Sequence, residues 1–306
     1  MIGYIGLKGV FMEYVIETSG LVKRYGAKYA VDKVSIHVAK GDIYGLIGKN
    51  GAGKTTLMKL LLGLTFANRG DIKLFGSALL NKERSKIGAL IEAPGLYTGD
   101  TAYGNLKRFG ILTDSTEEEI LDILKMVGLD NTGKKKVKAF SLGMKQRLGI
   151  GIALLGSPEL LILDEPVNGL DPQGIKEVRD TLLELNKKGV TILISSHLLD
   201  ELGKIATKFG IMRDGKLVEE ISAEEIEGMG KISLEIKTDS PEAAAELIKT
   251  AYPDASVKRE GGCVFVKSDS VSPAEVNAML ARAGIMVSEL KHETVALEDF
   301  FIKRMG

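Results

Sequence analysis

The chain has 306 residues, 41 Lys plus Arg against 41 Asp plus Glu, and a formal net charge of zero. That length can bury a full core in one large domain or two. The charge balance argues against a nucleic-acid binder, which carries a basic excess. A single cysteine, Cys263, rules out an intramolecular disulfide and suits a reducing cytoplasm. No apolar run approaches the ~18 residues of a membrane span.

Residues 1–11 are rich in glycine and apolar residues without a period. They lack the charged–apolar–small plan of a secretory leader and read as part of an N-terminal extension, 1–13. Residues 14–18 read as a strand, followed by Gly20 and Tyr25-Gly26. Val34, Ile36 and Val38 alternate as on a half-buried strand, and Gly41-Asp42 turns into the apolar run 43–47. Next comes Gly48-Lys49-Asn50-Gly51-Ala52-Gly53-Lys54-Thr55-Thr56, and then Leu57, Leu60, Leu61 and Leu64 at helical spacing.

This strand–loop–helix is the setting a phosphate loop, G-x-x-x-x-G-K-[ST], needs. Glycines let the backbone wrap with its N–H groups inward, and the helix N-terminus adds positive partial charge. Lys49, Asn50, Gly51, Ala52, Gly53, Lys54, Thr55 and Thr56 are therefore the candidate ATP-binding residues. Lys54 would reach the β and γ phosphates, and the Thr55 hydroxyl would ligate Mg²⁺.

Asn68-Arg69-Gly70 turns into another strand at 72–75, so a small antiparallel sheet is expected over the nucleotide base. From about 92 to 155 the pattern becomes helical. Ser115 with Glu118 reads as a capping box, ahead of the stripe Ile120, Ile123, Leu124 and Val127. Lys134, Lys135, Lys136 and Lys138 read as a solvated face. Ser141 caps a helix through 155, which Ser157-Pro158 ends.

The apolar run 160–163 suits a parallel strand covered on both faces, and it ends in Asp164-Glu165-Pro166. Pro172 opens a helix, 190–194 reads as a buried strand ending in Ser195-Ser196-His197, and residues 209–218 read as a hairpin turning at Asp214-Gly215. Alternating strands and helices predict an α/β fold with a parallel sheet. From about 231 the order becomes βαββαβ, that of a small ferredoxin-like α+β domain, with 297–303 as a closing helix. Cys263 reads as a buried apolar residue and His292 as a surface one.

Five features now stand in a fixed order. They are the phosphate loop, Glu92, Phe140-Ser141-Leu142-Gly143-Met144-Lys145-Gln146-Arg147, Leu161-Ile162-Leu163-Asp164-Glu165-Pro166, and Ser196-His197. Together they resemble the nucleotide-binding subunit of ABC transporters over about residues 14–220. The resemblance implies a P-loop ATPase with a mixed sheet, an antiparallel β subdomain and a helical subdomain at about 93–157, all within 14–229. Residues 230–306 would then form the accessory α+β domain.

The resemblance also implies roles. Asp164 would hold Mg²⁺, with Thr55 and Glu92 as its other candidate ligands; Glu165 would polarise the attacking water; His197 would contact the γ-phosphate; Tyr25 would stack on adenine. Ser141 and Gly143 resemble the signature motif, which completes the ATP site of an opposing subunit. One phosphate loop per chain then implies a homodimer or a paired ABC subunit, with integral membrane permease subunits as further partners. The place of work would be the cytoplasmic face of the cell membrane.

Two departures stand out. Leu142 and Met144 replace the usual glycine and glutamine of the signature, and Glu92 stands where most relatives carry glutamine. The stretch Ile91-Glu92-Ala93-Pro94-Gly95 resembles that of bacterial bacitracin- and lantibiotic-resistance exporters. An ABC ATPase that acts on a soluble partner is the alternative, but no coiled-coil or zinc insert and no second phosphate loop supports it.

Overall fold

The computed structural model describes residues 13–229, 232–268, 271–293, 300, 301 and 304. They divide into two compact units, one running to Ser222 and the other beginning at Ala223. The N-terminal extension lies outside the described residues, apart from its last position.

The first unit opens with β1 (Tyr14–Tyr25), β2 (Lys28–Val34) and β3 (His37–Ala39). β4 (Ile43–Ile47) then leads through the glycine loop into α1 (Lys54–Leu61), followed by β5 (Arg69–Leu74), the short α2 (Leu80–Glu83) and β6 (Ile87–Leu90). Three helices follow, α3 (Ala102–Gly110), α4 (Glu117–Met126) and α5 (Leu142–Ala153). The unit closes with β7 (Leu160–Asp164), α6 (Pro172–Lys187), β8 (Thr191–Ser196), α7 (Leu199–Gly203), β9 (Lys208–Arg213) and β10 (Lys216–Ser222).

Six of these strands form one sheet in the order β10-β9-β4-β8-β7-β6. All of its pairings are parallel except β9 with β10. Every residue of β4, β7 and β8 is buried, as continuous apolar runs demand when both faces are covered. Register then decides where the site lies. Ile47 pairs with Ser196, and Asp164 with Ser195, so β4, β7 and β8 end at one level. The glycine loop, Asp164-Glu165 and Ser195-His197 therefore emerge side by side, at the carboxyl edge where open α/β sheets bind ligands.

The second sheet is antiparallel, in the order β2-β1-β3, with β5 also paired to β1. Here β1 runs unbroken through Gly20, where the sequence suggests an interruption. Gly20 takes φ +55, and the register with β5 shifts between Ser19 and Val22. A bulge at a residue without a Cβ lets one strand turn from β3 toward β2 without ending. Val15, Leu21, Val34, Leu46, Leu57, Leu60 and Ile162 share one core, and burying each such side chain contributes about 1.5–3 kcal/mol.

The capping box sits one residue later than Ser115–Glu118. The Glu119 amide donates to Thr116 Oγ1, and Glu119 Oε2 accepts from the Thr116 amide at 2.8 Å. Thr116-x-x-Glu119 and Ser115-x-x-Glu118 are equivalent as patterns, and the hydroxyl of Ser115 is instead 2.8 Å from that of Thr113. The lysines at 134, 135, 136 and 138 are exposed around a buried Val137.

The second unit holds α8 (Ala223–Met229), β11 (Ile232–Thr238), α9 (Pro241–Ala251), β12 (Ser256–Glu260), β13 (Cys263–Ser268), α10 (Pro273–Arg282) and β14 (Val287–Glu293). Its sheet is antiparallel in the order β12-β13-β11-β14, the ferredoxin-like arrangement. Leu234, Ile236, Ile248, Val264, Val266, Val276 and Leu280 give it a core of its own. Cys263 is half-buried rather than buried. The side chain of His292 and most of the expected closing helix lie outside what is described.

Candidate functional site

The glycine loop is shaped by close approaches. A Cβ on Gly48 would lie 2.5 Å from the Met212 carbonyl oxygen. One on Gly53, at φ +107, would lie 2.2 Å from the Ala30 carbonyl oxygen. Only glycine fits either place. The loop is also tied from behind, since the Ala52 amide donates to Lys49 O and the Gly215 amide to Ala52 O, each at 3.0 Å. Ala52 is buried, Lys49, Asn50 and Gly51 are exposed, and Thr56 is half-buried.

At the head of α1, Lys54 is buried and donates from Nζ to Gly48 O at 2.7 Å. The same ammonium lies 3.3 Å from Glu165 Oε1. Thr55 Oγ1 donates to Asp164 Oδ2 at 2.7 Å. The other oxygen of that buried carboxylate accepts from Ser195 Oγ at 2.6 Å, and Ser195 Oγ accepts in turn from the Glu165 amide at 2.9 Å. Glu165 stands at φ +50, a left-handed conformation rare for a side-chain-bearing residue. From that turn Glu165 Oε2 meets His197 Nδ1 at 2.7 Å.

Five of the predicted residues thus come together: Lys54, Thr55, Asp164, Glu165 and His197. Glu165 Oε1 is buried and, apart from the contact with Lys54, makes no hydrogen bond. Two neighbouring carboxylates and the Thr55 hydroxyl share this edge, and of the two acids Lys54 pairs with Glu165, so a divalent cation and a hydrogen-bonding water both suit this donor set.

The other predicted residues lie outside that cluster. Tyr25, at the end of β1, is 52% exposed, with Lys23 Nζ 4.9 Å from its ring centroid. Ser141 caps α5 by accepting from the Met144 amide at 3.2 Å. Beside it Gly143 is half-buried and Leu142 half-exposed, with Leu142 packing toward Gly169. Glu92 contacts neither Thr55 nor Asp164; its carboxylate takes a 2.7 Å hydrogen bond from Lys59.

Sequence reasoning passed over Ser195 and Lys59. Ser195 was visible only as a polar end to an apolar strand. Lys59 was visible only as the residue four after Thr55, on the same helix face.

This fold and this cluster define a P-loop ATPase cassette. Residues 31–168 match the family model described as ABC transporter. The chain is 41% identical to the bacitracin transport ATP-binding protein BcrA of Enterococcus faecalis, over 97% of this chain and 98% of that one. It is 45% identical to the lantibiotic transport ATP-binding protein SrtF of Streptococcus pyogenes, over 67% of this chain and 89% of that one. The crystal structure of an ABC transporter cassette in its ADP conformation superposes with a TM-score of 0.64 at 28% identity, covering 69% of this chain and 92% of its own. The chain belongs to the ABC transporter family, as an ATP-binding subunit with ATPase activity. Among the described residues no helix is long and apolar enough to cross a membrane.

Proposed function

We propose that this chain is the motor of a bacterial exporter of peptide antibiotics or related drugs. It works as a homodimer, or paired with another ABC subunit, on the cytoplasmic face of the cell membrane. Separate permease subunits span the membrane. The names and extent of the two relatives support the substrate class.

The chemistry rests above all on the Glu165–His197 contact of 2.7 Å. Glu165 accepts the proton of the attacking water, and His197 holds the Glu165 carboxylate in place and would contact the γ-phosphate. Lys54 neutralises the phosphates, while Tyr25 offers an exposed ring to adenine. Mg²⁺ neutralises charge on the β and γ phosphates when bound. Thr55 and Asp164 would hold it. Ser141 and Gly143, at an exposed helix N-terminus, cap the γ-phosphate bound to the opposing subunit.

The test is bacitracin and lantibiotic susceptibility in cells carrying this chain with its permease, against cells carrying the Glu165→Gln chain. Resistance that depends on Glu165 supports the reading. Equal susceptibility to every peptide tried would exclude that substrate class.

A further inference from the structure

The sheet of the second unit has an open edge at β14. That strand pairs with β11 on one side and, among the described residues, with no strand on the other. An open edge offers a row of backbone N–H and C=O groups to any strand that can lie beside it. Ser288, Glu289 and Lys291 are exposed along β14, while Leu290 packs on the core of the unit.

Charge decides which strand fits. On the face of the sheet away from the core, Glu289 stands opposite Lys237 of β11, and Lys291 opposite Glu235. Lys291 Nζ lies 3.4 Å from Glu289 Oε1 and 3.9 Å from Glu235 Oε2. Sign therefore alternates along β14 and across to β11. A second copy of β14, laid antiparallel about a two-fold axis at Leu290, sets Glu289 opposite the partner's Lys291 and Lys291 opposite the partner's Glu289. The row across the sheets then reads Lys237, Glu289, the partner's Lys291, the partner's Glu235, with no like charges adjacent. An axis at Glu289 or at Lys291 would oppose like charges instead, so the alternation selects one register. The far edge of the sheet is guarded. Its strand, β12, carries Lys258 and Arg259, and a two-fold axis at either residue opposes like charges.

We propose that β14 is a nucleotide-independent contact between two copies of this chain, joining their four-stranded sheets edge to edge about Leu290. The inference rests on the homodimer reading and gives that dimer a surface away from the ATP site. By symmetry each interface holds the Glu289–Lys291 pair twice, so one substitution acts at two places.

Sedimentation of the full-length, nucleotide-free protein over a range of concentrations tests this. Glu289→Lys alone sets two lysines of one copy against the partner's Lys291 and should weaken self-association about tenfold or more; Lys291→Glu alone should do the same through opposed glutamates. An equimolar mixture of the two variants restores opposite charges at both pairs and should associate about as well as wild type. Glu289→Gln and Lys291→Gln add no repulsion within the chain and should each weaken association about two- to fivefold. Reversal variants that associate like wild type, a mixture no better than its components alongside unaffected glutamine variants, or a wild type that dimerises only with a non-hydrolysable Mg-ATP analogue would each overturn this surface and leave the homodimer reading standing. Monomers in every sample, with the analogue or without it, would overturn both.

Discussion

Ser195 Oγ lies between two carboxylate-bearing neighbours: it donates to Asp164 Oδ1 at 2.6 Å and receives the amide of Glu165 at 2.9 Å. One hydroxyl from β8 thus fixes the directions of two acids that end β7. The proposed metal ligand and the proposed base are held apart by the same atom. Ser195→Ala should leave a buried oxygen of Asp164 short of a donor, costing about 1.5–3 kcal/mol. Urea unfolding of the two proteins measures this directly, and an unchanged midpoint would show that the hydroxyl is not needed there.

Glu165→Gln keeps the size of the side chain and removes its basicity. ATP turnover should fall about 10²- to 10⁴-fold while nucleotide affinity stays close to wild type. Steady-state hydrolysis and a binding titration on the same preparation separate the two effects. A variant that hydrolyses ATP at the wild-type rate would remove Glu165 from the proposed chemistry.

A second titrating cluster lies outside the site. His37 Nδ1 is 2.9 Å from Glu220 Oε2, and Glu220 Oε1 accepts from the buried Tyr44 hydroxyl at 2.8 Å. The hydrogen bond to Glu220 raises the pKa of His37 above its ordinary 6.5. Burial works against the Glu220 anion, but His37, Lys208 and Tyr44 together outweigh it and hold the carboxyl below its ordinary 4.5. The raised histidine adds stability below 6.5 and loses it as pH rises through its folded value. The lowered carboxyl adds stability above 4.5 and loses it as pH falls through its folded value. Both contributions are complete only between 4.5 and 6.5. The stability gap between wild type and Glu220→Gln should be widest in that window and narrow on either side. Urea midpoints measured across pH check it, and a flat difference would refute the coupling.

The second unit carries its own core, so its removal should leave the first unit folded. We expect it to steady the dimer. Truncation after Met229 should weaken self-association, seen by analytical ultracentrifugation, without abolishing ATP binding. Association equal to that of the full chain would discard this role.

Much of this was legible because the constraints are local. Lys54, Thr55, Asp164, Glu165 and His197 each end a buried strand or open a helix, and a parallel register must bring such ends together. Ser195 was not legible as a bridge, because its value comes from a pairing between strands thirty-one residues apart in sequence. Glu92 read as a metal ligand by resemblance, and its hydrogen bond to Lys59 depends on where a turn places one exposed side chain. The capping box shifted by one residue because two overlapping patterns fit the same rule, and only the backbone entering α4 chooses between them.

A chain that drives a membrane transporter must travel with its permease. The most direct measurement is to tag it, solubilise membranes in detergent and identify what co-purifies. A polytopic membrane protein in stoichiometric amount is the expected result. Recovery of soluble proteins or ribosomes alone would contradict it.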